Sequence, residues 1–439
     1  MVIRIGQAIG AFFKNQDNQS LVVGRDVRLS SERISQALIK GLLAGGLKVT
    51  DTGAVPTPVH NFATDYYDAD GGVQVTASHN PAEYNGLKIR TADRTLYGHE
   101  IQEIYRLIVE RQDILLAETG QDELTRLDPL PVYLDYLKAL AHFSASARTQ
   151  PLKVVVDGGH GTNGQIVSNL LHDLGCNVVE LYCEPDGNFP LREPDPTASG
   201  ATDALTMLVQ KEKADLGLAY DGDGDRLVLV DENGSRVMGD QIMMILAREI
   251  LHQGPAKIVY EILCTQALAD DVLAHGGQPV MTPSGYAFVH EAMQETGAAL
   301  GGELSGHLFF NESAFRFDDA ILATVKILNV VAHSNRPLSE LVAELPTLHS
   351  SDEIRLDCPD EIKSRVVERV KAQFAGDYKV ETVDGARIHF GDGWALVRQS
   401  NTQPKISMRF EARNAVQLKL IQSTVQSLVE ATIRRYTPQ

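Results

Sequence analysis

Short apolar runs alternate with helix-periodic segments along most of this chain, and that alternation constrains the fold more than any other feature. Leu21–Gly24 reads as a strand, and Asp26 to Ser31 leads into a helix over about Ser31–Gly45. Val49–Asp51 resumes a strand, and Thr57-Pro58 opens another helix. Val73–Thr76 and Leu87–Ile89 are strands, with a helix over about Gly98–Glu118 after them. Lys153–Asp157 starts a second unit, with a helix from about Gly164 to Leu174 and strands at Leu216–Ala219 and Leu227–Val230. A third unit follows Gly239, with strands at Lys257–Tyr260, Gln278–Met281 and Ala299–Gly301. Strands and helices in this order predict layered α/β units.

The pattern changes after Ser350. Glu353–Leu356, Tyr378–Thr382, Ala386–Phe390, Ala395–Gln399 and Lys405–Glu411 read as strands of an antiparallel α+β unit. A chain of 439 residues exceeds one ordinary core. The expected division is 1–130, 131–235, 236–348 and 349–439: three α/β domains with mixed sheets and a C-terminal α+β domain. The polar, Pro-bounded stretch Gln121–Pro131 reads as a linker.

Ile5, Ala8, Ile9, Phe12 and Phe13 fall at helical spacing, so the start reads as an amphipathic helix rather than a signal peptide. No apolar run approaches the roughly 18 residues of a membrane span. Cys176, Cys183, Cys264 and Cys358 form no C-x-x-C pair, which predicts core thiols in a reducing, cytoplasmic setting. The formal net charge of −18 argues against nucleic acid and anionic membrane as partners. A phosphate-ester substrate would need positive charge concentrated locally.

Four loops carry the chemistry. Thr76-Ala77-Ser78-His79-Asn80-Pro81 follows an apolar strand, so Ser78 stands on a turn as a candidate nucleophile or phosphoryl carrier, with His79 beside it and Lys88 nearby. The same composition also suits a plain turn. Asp221-Gly222-Asp223-Gly224-Asp225-Arg226 places three carboxylates at period two on a curled loop, which suits a hard divalent cation. An EF-hand does not fit, because position 6 is Arg226 and an apolar strand follows. Gly302-Glu303-Leu304-Ser305-Gly306-His307 offers hydrogen-bonding groups for sugar hydroxyls, or is a Gly-rich turn. Arg398-Gln399-Ser400-Asn401-Thr402 combines a guanidinium, hydroxyls and an amide, all phosphate-binding groups, or is a polar hairpin loop. Asp157–Gly164 contains G-x-G-x-x-G spacing but reads as a tight structural strand-to-helix turn.

Together and in this order, the four loops resemble the α-D-phosphohexomutase family, closest to its bacterial phosphomannomutase/phosphoglucomutase branch. The likeness covers nearly the whole chain and extends to Gly393-Trp394-Ala395-Leu396-Val397-Arg398 and Arg409-Phe410-Glu411-Ala412. It implies four domains around a cleft, and interconversion of hexose 1-phosphate and hexose 6-phosphate through a phosphoserine. Ser78 would be that phosphoserine, and Mg²⁺ would bind Asp221, Asp223 and Asp225 together with Ser78. Glu303, Ser305 and His307 would hold the sugar. Arg398, Ser400, Asn401 and Thr402 would hold the non-reacting phosphate. His79, Lys88, Arg226 and Tyr286 would be catalytic. A hexose 1,6-bisphosphate would serve as intermediate and activator, hexose phosphates as partners, and the protein would be a monomer or small homo-oligomer.

The chain departs from the family at three places. It begins on the helix that should follow an N-terminal strand bearing an arginine. Tyr286 stands where the family has histidine, and Leu263 where lysine is common. A sugar-phosphate-binding relative with weak or lost turnover, or a phosphoglucosamine mutase, is therefore the alternative. The Glu-Leu-Ser-Gly-His form of the sugar loop favours glucose and mannose over glucosamine.

Overall fold

The computed structural model describes residues 1–110, 123–143, 150–312, 316–400 and 403–437. Twenty strands within these residues form four sheets. The first contains β1 (Ser20–Arg25), β2 (Lys48–Ala54), β3 (Gly71–Val75), β4 (Leu87–Thr91) and β5 (Leu124–Arg126), in the order β4-β3-β1-β2-β5. Only β4 runs antiparallel to its neighbour. The segment expected as a linker contributes β5, which pairs parallel to β2. Its three residues are half-exposed or exposed, so no apolar alternation marked it. The helix Val2–Lys14 buries Ala8, Ile9, Phe12 and Phe13, as their spacing requires. It crosses the helix Ser31–Ala44 at Gly6 and Gly41, where a Cβ on Gly6 would lie 2.5 Å from Leu38 O.

The second sheet holds β6 (Lys153–Asp157), β7 (Asn177–Leu181), β8 (Leu216–Tyr220), β9 (Leu227–Asp231) and β10 (Arg236–Val237), ordered β10-β9-β8-β6-β7. The third holds β11 (Lys257–Glu261), β12 (Gln278–Thr282), β13 (Leu300–Gly302) and β14 (Leu308–Phe310), ordered β12-β11-β13-β14. Both are mixed sheets with parallel centres, and β6, β8 and β9 are almost wholly buried, as their continuous apolar runs require.

The fourth sheet is antiparallel throughout: β15 (His349–Ser350), β16 (Ile354–Asp357), β17 (Lys379–Glu381), β18 (Ala386–His389), β19 (Gly393–Gln399) and β20 (Lys405–Ala412). The helices Asp360–Phe374 and Ala415–Tyr436 pack their apolar faces on it. This is the expected architecture of three α/β units and one α+β unit.

One hydrophobic core runs through the second and third units and takes in Val55, Val59 and Phe62 of the first. The fourth unit has its own core. A seam of Ile262, Leu263, Trp394 and Leu396 joins it to the third unit, so Leu263 is buried in an apolar cluster with Trp394. Each chemically loaded loop leaves the carboxyl end of a strand: β3, β8, β13 and β19. In α/β sheets that end is where ligands bind.

Candidate active site

Strand β3 is buried along its full length and delivers the chain to Thr76. The Thr76 hydroxyl donates to Asp26 Oδ2 at 2.8 Å and accepts the Ser78 N–H at 2.8 Å. Ser78 itself adopts a left-handed φ of 49°. Its Oγ donates to Asp221 Oδ2 at 2.8 Å and lies 3.3 Å from His79 Nδ1.

The loop after β8 winds around one oxygen. Asp221 Oδ1 accepts the backbone N–H groups of Gly224, Asp225 and Arg226 at 3.0, 3.1 and 3.2 Å. The Gly-rich turn Asp157–Gly164 braces it, since Thr162 donates its N–H and hydroxyl to Gly222 O at 3.1 and 3.0 Å. From the first unit, Thr57 donates its hydroxyl to Asp223 Oδ2 at 2.6 Å and its N–H to Asp223 O at 2.8 Å. Oxygens of Asp221, Asp223 and Asp225 lie within 4.8 Å of one another, all buried. Among the described residues Asp223 Oδ1 has no hydrogen-bond partner, and Asp225 Oδ1 lies 3.2 Å from His307 Nε2. An all-oxygen set of three buried carboxylates, one oxygen of which is unpaired, fits a hard divalent cation.

Positive groups ring the triad. Lys88 Nζ bonds Asp223 Oδ2 at 2.8 Å and also Asp225 Oδ2. Arg226 Nε lies 4.0 Å from Asp221 Oδ2. Burial and the charges of Asp225 and Asp223 push the Asp221 carboxyl well above its usual range. Burial acts in the same direction on Asp225, but Lys88 and His307 overcome it and hold that carboxyl well below. Burial and Arg226 press His79 down to about 3. For His307 burial alone would lower the value, but Asp225 and the bond to Glu303 overcome this and Arg226, raising it to about 10.

The loop after β13 closes on the same centre. Glu303 Oε1 accepts the Gly285 N–H at 2.7 Å, and its Oε2 lies 2.7 Å from His307 Nδ1. Ser305 Oγ is 3.0 Å from the same nitrogen. The Tyr286 ring sits 5.8 Å from the His307 ring, with Lys88 Nζ 5.7 Å from its centroid. Burial raises the Tyr286 hydroxyl, so it stays protonated at neutral pH.

Ser78, His79, Lys88, the Asp triad, Arg226, Tyr286, Glu303, Ser305 and His307 thus form one connected cluster. Arg398 stands on the fourth unit and reaches this cluster only indirectly. Its Nε donates to Asp384 Oδ2 at 2.6 Å, and that oxygen also accepts the Ser284 N–H at 3.2 Å. Ser400 donates its N–H to Lys405 O at 2.9 Å. Asn401 and Thr402 lie outside the described residues.

Sequence reasoning missed Asp26, Arg28, Thr57, Asp318 and Asp384. Asp318 is buried, with Oδ2 3.8 Å from His307 Nε2. Asp26 and Arg28 were findable in principle, because β1 and β3 are adjacent parallel strands whose following loops must meet.

The comparisons with known proteins agree with this geometry. Residues 1–114, 131–234 and 238–349 match the phosphoglucomutase/phosphomannomutase alpha/beta/alpha domains I, II and III, and residues 353–427 match the C-terminal domain. A phosphomannomutase/phosphoglucomutase of Pseudomonas aeruginosa is 37% identical over 430 residues, covering 97% of this chain and 91% of that protein. A phosphoglucomutase of Neisseria gonorrhoeae is 35% identical, covering 97% and 92%. The crystal structure of a phosphoglucomutase/phosphomannomutase family protein from Burkholderia thailandensis superposes with a TM-score of 0.87 at 35% identity, covering 98% and 93%. Fold and loops together define an intramolecular phosphotransferase of the phosphohexomutase class. Within that class, the chain belongs to the phosphoglucomutase/phosphomannomutase family.

Proposed function

We propose that this enzyme interconverts hexose 1-phosphates and hexose 6-phosphates of glucose and mannose, with Ser78 as the phosphoryl carrier. The observation that carries the reading is the Ser78 Oγ held 2.8 Å from Asp221 at the edge of the carboxylate triad. Asp221, Asp223 and Asp225 would hold Mg²⁺, for which three buried carboxylates with oxygens within 4.8 Å of one another, and with Asp223 Oδ1 unpaired, are suited. When bound, that ion supplies charge neutralisation for the transferring group.

In the first transfer a sugar hydroxyl oxygen bonds to phosphorus as the bond to Ser78 Oγ breaks. The hydroxyl's proton is lost to the site, and Ser78 Oγ ends protonated. His79 Nδ1, 3.3 Å from that oxygen, is placed to relay it. Lys88, Arg226 and His307 present positive charge to the phosphoryl oxygens. Glu303 and Ser305 orient the ring hydroxyls. Arg398, Ser400, Asn401 and Thr402 grip the phosphate that does not react, so binding energy fixes the reacting oxygen. The hexose 1,6-bisphosphate then reorients and returns its other phosphoryl group to Ser78. The four buried free cysteines support a reducing, cytoplasmic setting.

The test is intact mass together with a coupled assay on glucose 1-phosphate and mannose 1-phosphate, with Mg²⁺ and a hexose bisphosphate. Uptake of one phosphoryl group and turnover are expected. A Ser78→Ala protein with full activity would sink the mechanism.

A further inference from the structure

Arg28 is a large cation with no exposed side-chain surface, and none of its hydrogen bonds goes to the carboxylate triad. Its guanidinium is spent on backbone. Nη2 donates to Ser78 O at 2.8 Å and Asn80 O at 2.6 Å, and Nη1 donates to Pro81 O at 2.5 Å and Tyr84 O at 3.2 Å. The fifth donor, Nε, bonds Asp26 Oδ2 at 3.0 Å. Four carbonyls of one loop therefore converge on one side chain, and the Phe189 ring lies 5.0 Å from its centre.

Asp26 closes the circuit. It accepts the Thr76 hydroxyl, the Arg28 N–H and the Ser31 hydroxyl, and the Thr76 oxygen accepts the Ser78 N–H. Ser78 is thus held at both of its backbone polar groups, its N–H by Thr76 and its C=O by Arg28. Between those two bonds its φ is +49°, a region that a serine does not favour unaided. That backbone turns Oγ toward Asp221.

We propose that Arg28, with Asp26 and Thr76, is a positioning device for the reaction: it fixes the left-handed Ser78 backbone so that Oγ faces the triad. This rests on the reading of Ser78 as phosphoryl carrier. The chemistry favours Arg over Lys at this position, because only a planar fork with five donors can bond four carbonyls and a carboxylate together. A device of this kind acts on transfer at Ser78 and not on the sugar grip, which lies on other units.

The experiment uses the full chain with Arg28→Lys, Thr76→Val and Ser31→Ala. Ser78 phosphorylation by glucose 1,6-bisphosphate is followed by intact mass, alongside kcat, KM and Tm. In Arg28→Lys and Thr76→Val the rate of phosphorylation and kcat should fall about 100-fold, the loss expected for an angstrom-scale misplacement, with KM changed less than about threefold. Ser31→Ala removes a bond to Asp26 Oδ1, whereas Thr76 bonds Oδ2, and should lower Tm while Ser78 is phosphorylated at the normal rate. Should Arg28→Lys fail to fold, Thr76→Val decides alone. A folded Arg28→Lys or Thr76→Val protein phosphorylated at the wild-type rate overturns the inference. Ser78→Ala keeps the network and separates the two claims: phosphate still taken up by that variant removes the phosphoserine reading itself.

Discussion

Lys88 Nζ bonds carboxylate oxygens of both Asp223 and Asp225, so one ammonium bridges two members of the triad. It competes with any divalent cation for those oxygens and also screens their repulsion. Lys88→Met should therefore tighten Mg²⁺ binding at least about tenfold, given the size of charge interactions at this separation, while lowering kcat about 100-fold through loss of a cation beside the transferring group. Isothermal titration and the coupled assay read the two effects separately. Weaker Mg²⁺ binding in the variant would contradict this.

Gly222 lies where the first and second units press together. A Cβ there would meet Ser78 O at 2.7 Å and Pro194 Cβ at 3.0 Å. Neither neighbour is the free end of a flexible chain. Gly222→Ala should fold but lower kcat by tenfold or more, since the Ser78 loop must retreat from Asp221, on the order of effects seen for small misplacements. Retention of normal kcat would show that the loop yields without moving Oγ.

His60 gives a stability prediction. It is buried, neither ring nitrogen has a hydrogen-bond partner, and burial, with Arg90 and Lys88 adding to it, lowers its pKa to about 3. Below pH 6.5 the unfolded chain binds a proton that the folded chain refuses, so stability falls as pH drops from about 6.5 toward 3. Between pH 7 and pH 5 the wild type should lose about 2 kcal/mol more than His60→Gln, from 1.36 kcal/mol per pKa unit. Denaturant titrations of both proteins at the two pH values check the sign and size.

All four cysteines are buried free thiols, and burial pushes Cys176 and Cys183 up to about 12. The native protein should resist a thiol-specific reagent at pH 8, and four thiols should react in guanidinium chloride. Fast labelling of the native protein would contradict the packing around these residues.

Much of the fold was legible because its signals are local. The first helix follows from the spacing of Ile5, Ala8, Ile9, Phe12 and Phe13, and the buried strands from runs such as Val154-Val155-Val156. The strand Leu124–Arg126 was hidden because its pairing with β2, rather than its own composition, defines it. Likewise Ser78 and the Asp triad announced themselves as loops, yet Arg28 did not. Its meaning lies in carbonyls 50 to 56 residues away. Leu263 read as the loss of a cation, whereas the structure gives it apolar partners in Trp394 and Leu396.

The left-handed backbone at Ser78 selects among alcohols. Threonine carries the same nucleophilic hydroxyl, but its β-branch makes a φ of +49° a true outlier, whereas serine tolerates it. Two side chains that phosphoryl chemistry would treat alike are therefore unequal here. The turn filters for the unbranched one before any substrate arrives.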